Sequence, residues 1–309
     1  MGENFITVGT QVLELFILIA VGYLCGRIRI LNDKTVRSIT DIVLYIVCPC
    51  VIVENFIRPF DTDMLGGLLT AAAAAMCIHI VSAVIAMLVF HDKKPERNRV
   101  YRFAVIFSNC GYMSLPMQQA ILGSDGVFFG AVYIVIFNIV MWTFGVWLSS
   151  GDRSSLSVKK IILNPCIIGM AVGFVIFLTS LPVPEIIEKP VGFLASLNTP
   201  LPMMIVGYYL SQTRLTDAFK DGKGFICVLF RLIAIPLLAF GGMMLCGIRG
   251  TVLMTCVIAA SAPAAAATTM FAAKFDNDAK LSVNLVTLST LLSVLTMPLI
   301  VGFARTVGG

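Results

Sequence analysis

The chain has 309 residues, of which 58% are hydrophobic and 13% charged, and its mean hydropathy is +0.95. A soluble domain carries about 25% charged residues, so the composition excludes a soluble globular protein and places most of the chain in a lipid bilayer. The net charge of +5 comes from short loops between apolar stretches and is no nucleic-acid signature.

Crossing the hydrocarbon core takes roughly 20 apolar residues. In chain order ten segments qualify: 5–25, 38–57, 64–90, 102–121, 126–149, 161–180, 190–212, 224–247, 251–274 and 281–303. The first runs straight into a basic loop and reads as a retained helix, not a cleaved signal. The second holds Cys48-Pro49-Cys50, which reads as packed thiols in a helix rather than a metal pair, and no cofactor is called for. Between the sixth and seventh, Pro182 to Pro190 reads as a short external loop stiffened by prolines.

Basic residues alternate between the loops. Arg27, Arg29, Lys34, Arg37, Lys93, Lys94, Arg97, Arg99, Arg102, Arg153, Lys159, Lys160, Arg214, Lys220, Lys223, Lys274 and Lys280 fall on one side, and only Arg58, Lys189, Arg249 and Arg305 on the other. The positive-inside rule makes the first side cytoplasmic and puts both termini outside the cytoplasmic membrane.

Ten segments divide into five plus five, 1–152 and 153–309. Because five is odd, the second half enters from the opposite side. Pro49 matches Pro200 or Pro202, His79 matches Arg231, and Ser114-Leu115-Pro116 matches Ser261-Ala262-Pro263 at an offset of 147. This predicts an all-α membrane protein of two inverted five-helix repeats, with broken fourth and ninth helices. A proline deep in a helix removes a hydrogen bond and crowds the preceding turn. Ser114 and Ser261, two residues before the prolines, fall near the cap position of a second half-helix, with Pro116 and Pro263 shaping the breaks. Two half-helix N-termini facing one place form an anion site.

Ser108-Asn109-Cys110-Gly111-Tyr112-Met113-Ser114 is the most polar run inside any segment. Asn109 brings donors and acceptors, Gly111 permits φ > 0, and Ser108 and Tyr112 add hydroxyls. In the ninth segment small residues surround Ser261 and Pro263, and Thr268 follows. His79 and Arg231 are ionisable groups inside the membrane. His79 reads either as a packed, hydrogen-bonded residue or as a proton carrier, and Arg231 either backs the crossover or snorkels to the cytoplasmic surface.

The run Asn109-x-Gly111-x-x-Ser114-Leu115-Pro116 resembles the first crossover of the auxin efflux carrier family. Ser261-Ala262-Pro263 with Phe271-Ala272-Ala273-Lys274-Phe275 is similar to its second crossover, and Leu288 to Pro298 to its last helix. The resemblance covers the whole chain. It implies a fold like that of the bile-acid sodium symporters, in which segments 1, 2, 6 and 7 form a scaffold and segments 3–5 and 8–10 a transport domain. It further implies elevator-type alternating access, a homodimer through the scaffold, and a small organic anion as substrate, such as malate or malonate. The chain departs from the plant-type carriers in offering His79 where those place a carboxylate–lysine support pair. Around Ser261 it offers little to hold sodium. The alternatives are a channel or facilitator for a small solute, which usually lines its pore with a charged ring or carbonyl filter, and, further off, an intramembrane enzyme, which would need a metal cluster, a Ser/His pair or an acidic motif; none of these patterns is visible in the sequence.

Overall fold

A computed structural model describes residues 2–152, 159, 162–212 and 221–308, and all the named elements are helices. Arg153, Lys160, Arg214 and Lys220, counted above for orientation, lie outside the described residues.

In chain order the helices are α1 (Gly2–Arg27), α2 (Asp33–Phe56), α3 (Thr62–Val89), α4 (Pro95–Ile106), α5 (Cys110–Ser150), α6 (Pro165–Thr179), α7 (Glu185–Gln212), α8 (Gly222–Leu245), α9 (Gly250–Ser261), α10 (Ala267–Lys274) and α11 (Ala279–Gly308). Among the described residues, α2, α3, α5, α7, α8 and α11 are long and apolar enough to cross a membrane, while α6 and α9 are shorter apolar helices. The chain is a multi-pass, all-helical membrane protein.

α5 is a hairpin. Gly123 holds φ +67°, a conformation glycine adopts without a Cβ penalty. The arms 110–122 and 124–150 fold back on each other there, so that a Cβ at Gly130 would fall 2.0 Å from Gln118 Oε1. α7 turns at residues 197–199 between its halves Glu185–Ser196 and Pro200–Gln212. The stretch Pro182 to Pro190, read above as a loop, is helical from Glu185 onward. Pro184 stands at the N-cap, Glu185 and Glu188 sit in the first turn, and Pro190 lies inside the helix. Carboxylates at a helix N-terminus are favoured by the dipole, which the proline count alone conceals.

Three of the prolines inside helices are absorbed by widening. Five-residue π-helical turns cover Val43–Val47, Cys110–Ser114 and Phe230–Ala234. At the end of each, an N–H reaches back five residues: Cys48 to Val43, Leu115 to Cys110 and Ile235 to Phe230. The next residue is Pro49, Pro116 and Pro236 respectively. Each ring is taken in by this shift of register, and none of the three breaks its helix.

Glycines set the closest helix contacts. α1 packs along the Pro200–Gln212 half of α7. A Cβ at Gly22 would lie 2.3 Å from the Met204 carbonyl oxygen, and one at Gly207 2.0 Å from that of Ile19. α2 and α6 meet in the same way, with Gly169 on Pro49 and Gly173 on Phe56. Small residues let backbones approach where no hydrophobic force drives association. On one face, Arg97 of α4 binds Asp221 at 3.0 Å and Asp278 at 3.5 Å, tying together the starts of α4, α8 and α11.

Candidate functional site

α4 ends at Ile106 and α5 begins at Cys110; α9 ends at Ser261 and α10 begins at Ala267. The two gaps meet. Ser108 and Ala264 form an antiparallel bridge. The Asn109 N–H donates to the Pro263 carbonyl at 2.7 Å, and the Ala265 N–H donates to the Phe107 carbonyl at 2.9 Å. These bonds satisfy backbone groups that two interrupted helices would otherwise strand in an apolar interior. Ser289 of α11 adds a third tie, its hydroxyl accepting the Ala264 N–H at 3.1 Å.

The first break therefore lies at residues 107–109, not at Pro116. Pro116 sits inside α5 behind the π turn, and Ser114 has helical backbone angles and caps nothing. Asn109 occupies the cap position instead. Pro263 does lie in its break. Ser261, however, is the last residue of α9, and its hydroxyl donates back to the Val257 carbonyl at 2.7 Å rather than capping α10. The offset of 147 thus pairs residues in unlike positions, whereas the bonds that flank Ser108 and Ala264 are themselves symmetric about that pair.

Four helix ends converge on the crossing: the carbonyl ends of α4 and α9 and the N–H ends of α5 and α10. Arg231, buried in the π turn of α8, deals with the first two. One Nη donates to the Val105 carbonyl at 2.8 Å, and the other to the carbonyl of Ala260. The guanidinium faces inward behind the crossing and does not snorkel. Each helix end carries roughly half a charge, so one guanidinium balances the two negative ends and leaves the two positive ones.

The remaining site residues distribute as follows. Ser108 Oγ, Ser114 Oγ and Thr268 Oγ1 are buried without a hydrogen-bond partner; the Tyr133 hydroxyl and Cys110 thiol lie beside Ser108 without closing a formed bond. The buried Asn109 side chain makes no capping bond. Gly111 does not use φ > 0. Its role is spatial, because a Cβ there would meet nothing within 4 Å. Tyr112 packs against the small cluster of Leu31, Val36, Val43, Ile205 and Tyr208, so it faces the neighbouring helices α2 and α7. His79 is buried against the rings of Phe107 and Tyr133, with Nδ1 2.7 Å from the Ala75 carbonyl of its own helix.

Gln118 escaped the sequence reading. Its Nε2 donates to the Thr255 carbonyl of α9 at 3.0 Å, and its Oε1 is buried and unpaired. A glutamine two residues after an intramembrane proline was the available signal. Cys48 lies with its Sγ 3.0 Å from that of Cys166, a pair of thiols between α2 and α6, and no cluster suited to a metal ion occurs among the described residues.

A model of the membrane transport protein family matches residues 7–158 and 153–301, nearly the whole chain. The chain belongs to this family, whose type is the auxin efflux carrier. It is 24% identical over 292 residues to an uncharacterized transporter of Methanothermobacter thermautotrophicus, covering 93% of this chain and 95% of the relative. A second uncharacterized transporter, from Methanocaldococcus jannaschii, is 25% identical over 299 residues, covering 93% and 96%. The family is one of membrane transporters and not of enzymes.

Proposed function

We infer that the chain is a secondary carrier for a small organic anion, most simply a carboxylate, held at the crossing of the two broken helices. Ten membrane segments in two inverted five-helix repeats, 1–152 and 153–309, build it. Segments 1, 2, 6 and 7 form a scaffold that also carries a homodimer contact, and segments 3–5 and 8–10 an elevator-type transport domain. The side bearing 17 basic residues is cytoplasmic, and both termini are outside.

The observation that carries this reading is the crossing itself, with its negative helix ends cancelled by Arg231 and its positive ends left over. A buried, unpaired hydroxyl costs about 1–3 kcal/mol. Ser114 and Thr268 each carry that cost unless an occupant supplies the bonds, and Ser108 stands beside them. Asn109 and Tyr112 complete the contact set, and the open space at Gly111 gives the occupant room. Pro116, Pro263 and the backbone at Ser261 shape the walls, and His79 and Arg231 act from behind.

Counterflow of a labelled carboxylate in proteoliposomes tests the reading. A carrier saturates and exchanges its load against unlabelled substrate, while a channel does neither. Counterflow in the wild type that disappears in Asn109→Ala supports a carrier with this site. Normal counterflow in both Asn109→Ala and Ser261→Ala would place the site elsewhere.

A further inference from the structure

A cavity of about 880 Å³ opens between the end of α2, the hairpin of α5 and the turn of α7. Leu115, Pro116 and the buried amide of Asn198 help line it, so it reaches the first arm of the α5 hairpin, just beyond the crossing. Among the described residues lining it, Arg58 is the one cation, set among the carboxylates of Glu54, Asp61 and Asp125.

Arg58 is fixed in place. Its Nε donates to the Asn55 carbonyl at 2.9 Å, and its guanidinium lies 4.8 Å from the centre of the Phe128 ring. Its Nη1 binds Asp125 Oδ1 at 2.7 Å. The two partners differ in one respect that matters: the Arg58 side chain is 18% exposed and that of Asp125 54%. Asp125 can leave for water at little cost, since an exposed ion pair adds little net stability. Arg58 cannot leave without losing its ring and its carbonyl.

We propose that Arg58 is the selectivity residue of the outer mouth and Asp125 its displaceable counter-ion. An incoming monocarboxylate takes the place of Asp125 on the guanidinium, where a fork-to-fork pair is the strong geometry for a carboxylate. Displacing Asp125 also frees the segment next to the Gly123 kink, at the tip of the α5 hairpin. Glu54 and Asp61 stand in the same cavity and repel every negative charge that enters, so the penalty grows with charge, and dicarboxylates such as the malate or malonate implied by the resemblance enter less readily than monocarboxylates. Asp61 is held there by its own role, its carboxylate capping α3 through the N–H groups of Asp63 and Met64. The proposal rests on the organic-anion reading and adds to it an entry site and a charge preference.

Calorimetric titration of the purified full chain with butyrate, benzoate, malonate and succinate tests this. The wild type is expected to bind a monocarboxylate tightest. Asp125→Asn, which removes the competitor, should tighten that binding at least threefold, a gain that misfolding cannot mimic. Arg58→Gln should weaken it at least tenfold, and Glu54→Gln should narrow the preference for monocarboxylates. Unchanged affinity in both Asp125→Asn and Arg58→Gln overturns the proposal; if Asn109→Ala still abolishes binding in that case, the crossover reading stands alone. Loss in Arg58→Gln with none in Asn109→Ala leaves the entry site and removes the crossover. Failure of all four acids to bind the wild type overturns both.

Discussion

Where α1 meets α7, glycines bring two backbones into contact, and among the described residues no buried polar side-chain atom of the seam is left unpaired. Gly22 and Gly26 stand four apart on α1 and face Met204 and Ser211, while Gly207 on α7 faces Ile19. Where α4–α5 meets α9–α10, the backbones also touch, but through two hydrogen bonds between non-helical residues, and buried hydroxyls stay unpaired around them. Both contacts hold the molecule together. Only the second retains binding capacity that its own fold does not consume. In a bilayer, unspent hydrogen-bonding groups are costly, so keeping them argues for use.

Breaking the first contact should have the largest effect. Gly207→Ala sets a methyl 2.0 Å from a backbone oxygen that cannot rotate away. A loss of about 3 kcal/mol or more is expected, read as a collapse of the monodisperse peak in fluorescence-detected chromatography. Retention of the wild-type melting temperature would show that the seam is looser than described.

Arg231→Met comes next. It removes the donors to Val105 and Ala260 and leaves their carbonyls buried. At about 1–3 kcal/mol for each orphaned acceptor, a loss of about 3 kcal/mol is expected in thermal unfolding. Arg231→Lys should rescue little, because a compact ammonium lacks the planar fork that spans both helix ends.

Gly111→Ala sharpens the contrast. The added methyl meets nothing, so stability should hold or rise by up to about 1 kcal/mol from lost chain entropy. Transport should fall nonetheless, because the methyl takes up space proposed for the ligand. The smallest effect is expected for Ser114→Ala, whose buried hydroxyl has no partner. Its melting temperature should stay within about 1 °C or rise, since removing an unpaired buried group costs nothing.

The helical, membrane-embedded class was legible from hydropathy because a bilayer imposes length and polarity on every crossing. The fourth and ninth segments were legible as broken for a different reason, the prolines, and there the reasoning was half right. Pro263 sits in its break because no widened turn precedes it, whereas Pro116 follows a π turn that takes in its ring. A proline in sequence does not reveal which of these the backbone chooses. Arg231 was legible as an anomaly, but its partners are main-chain carbonyls, which every residue carries and no sequence pattern marks. Gln118 and Ser289 were hidden likewise, since their partners lie on α9 and in the second break, more than 20 residues away along the chain.

Thermal unfolding against a panel of carboxylates, run on the wild type and on Asn109→Ala, tests the central claim most directly. A ligand that binds only the folded state stabilises it by about 2.7 kcal/mol at a hundred times its dissociation constant. A site at the crossing predicts that at least one carboxylate raises the wild-type melting temperature, and that Asn109→Ala melts normally without ligand but shows no rise with it. An equal rise in both proteins would contradict that site.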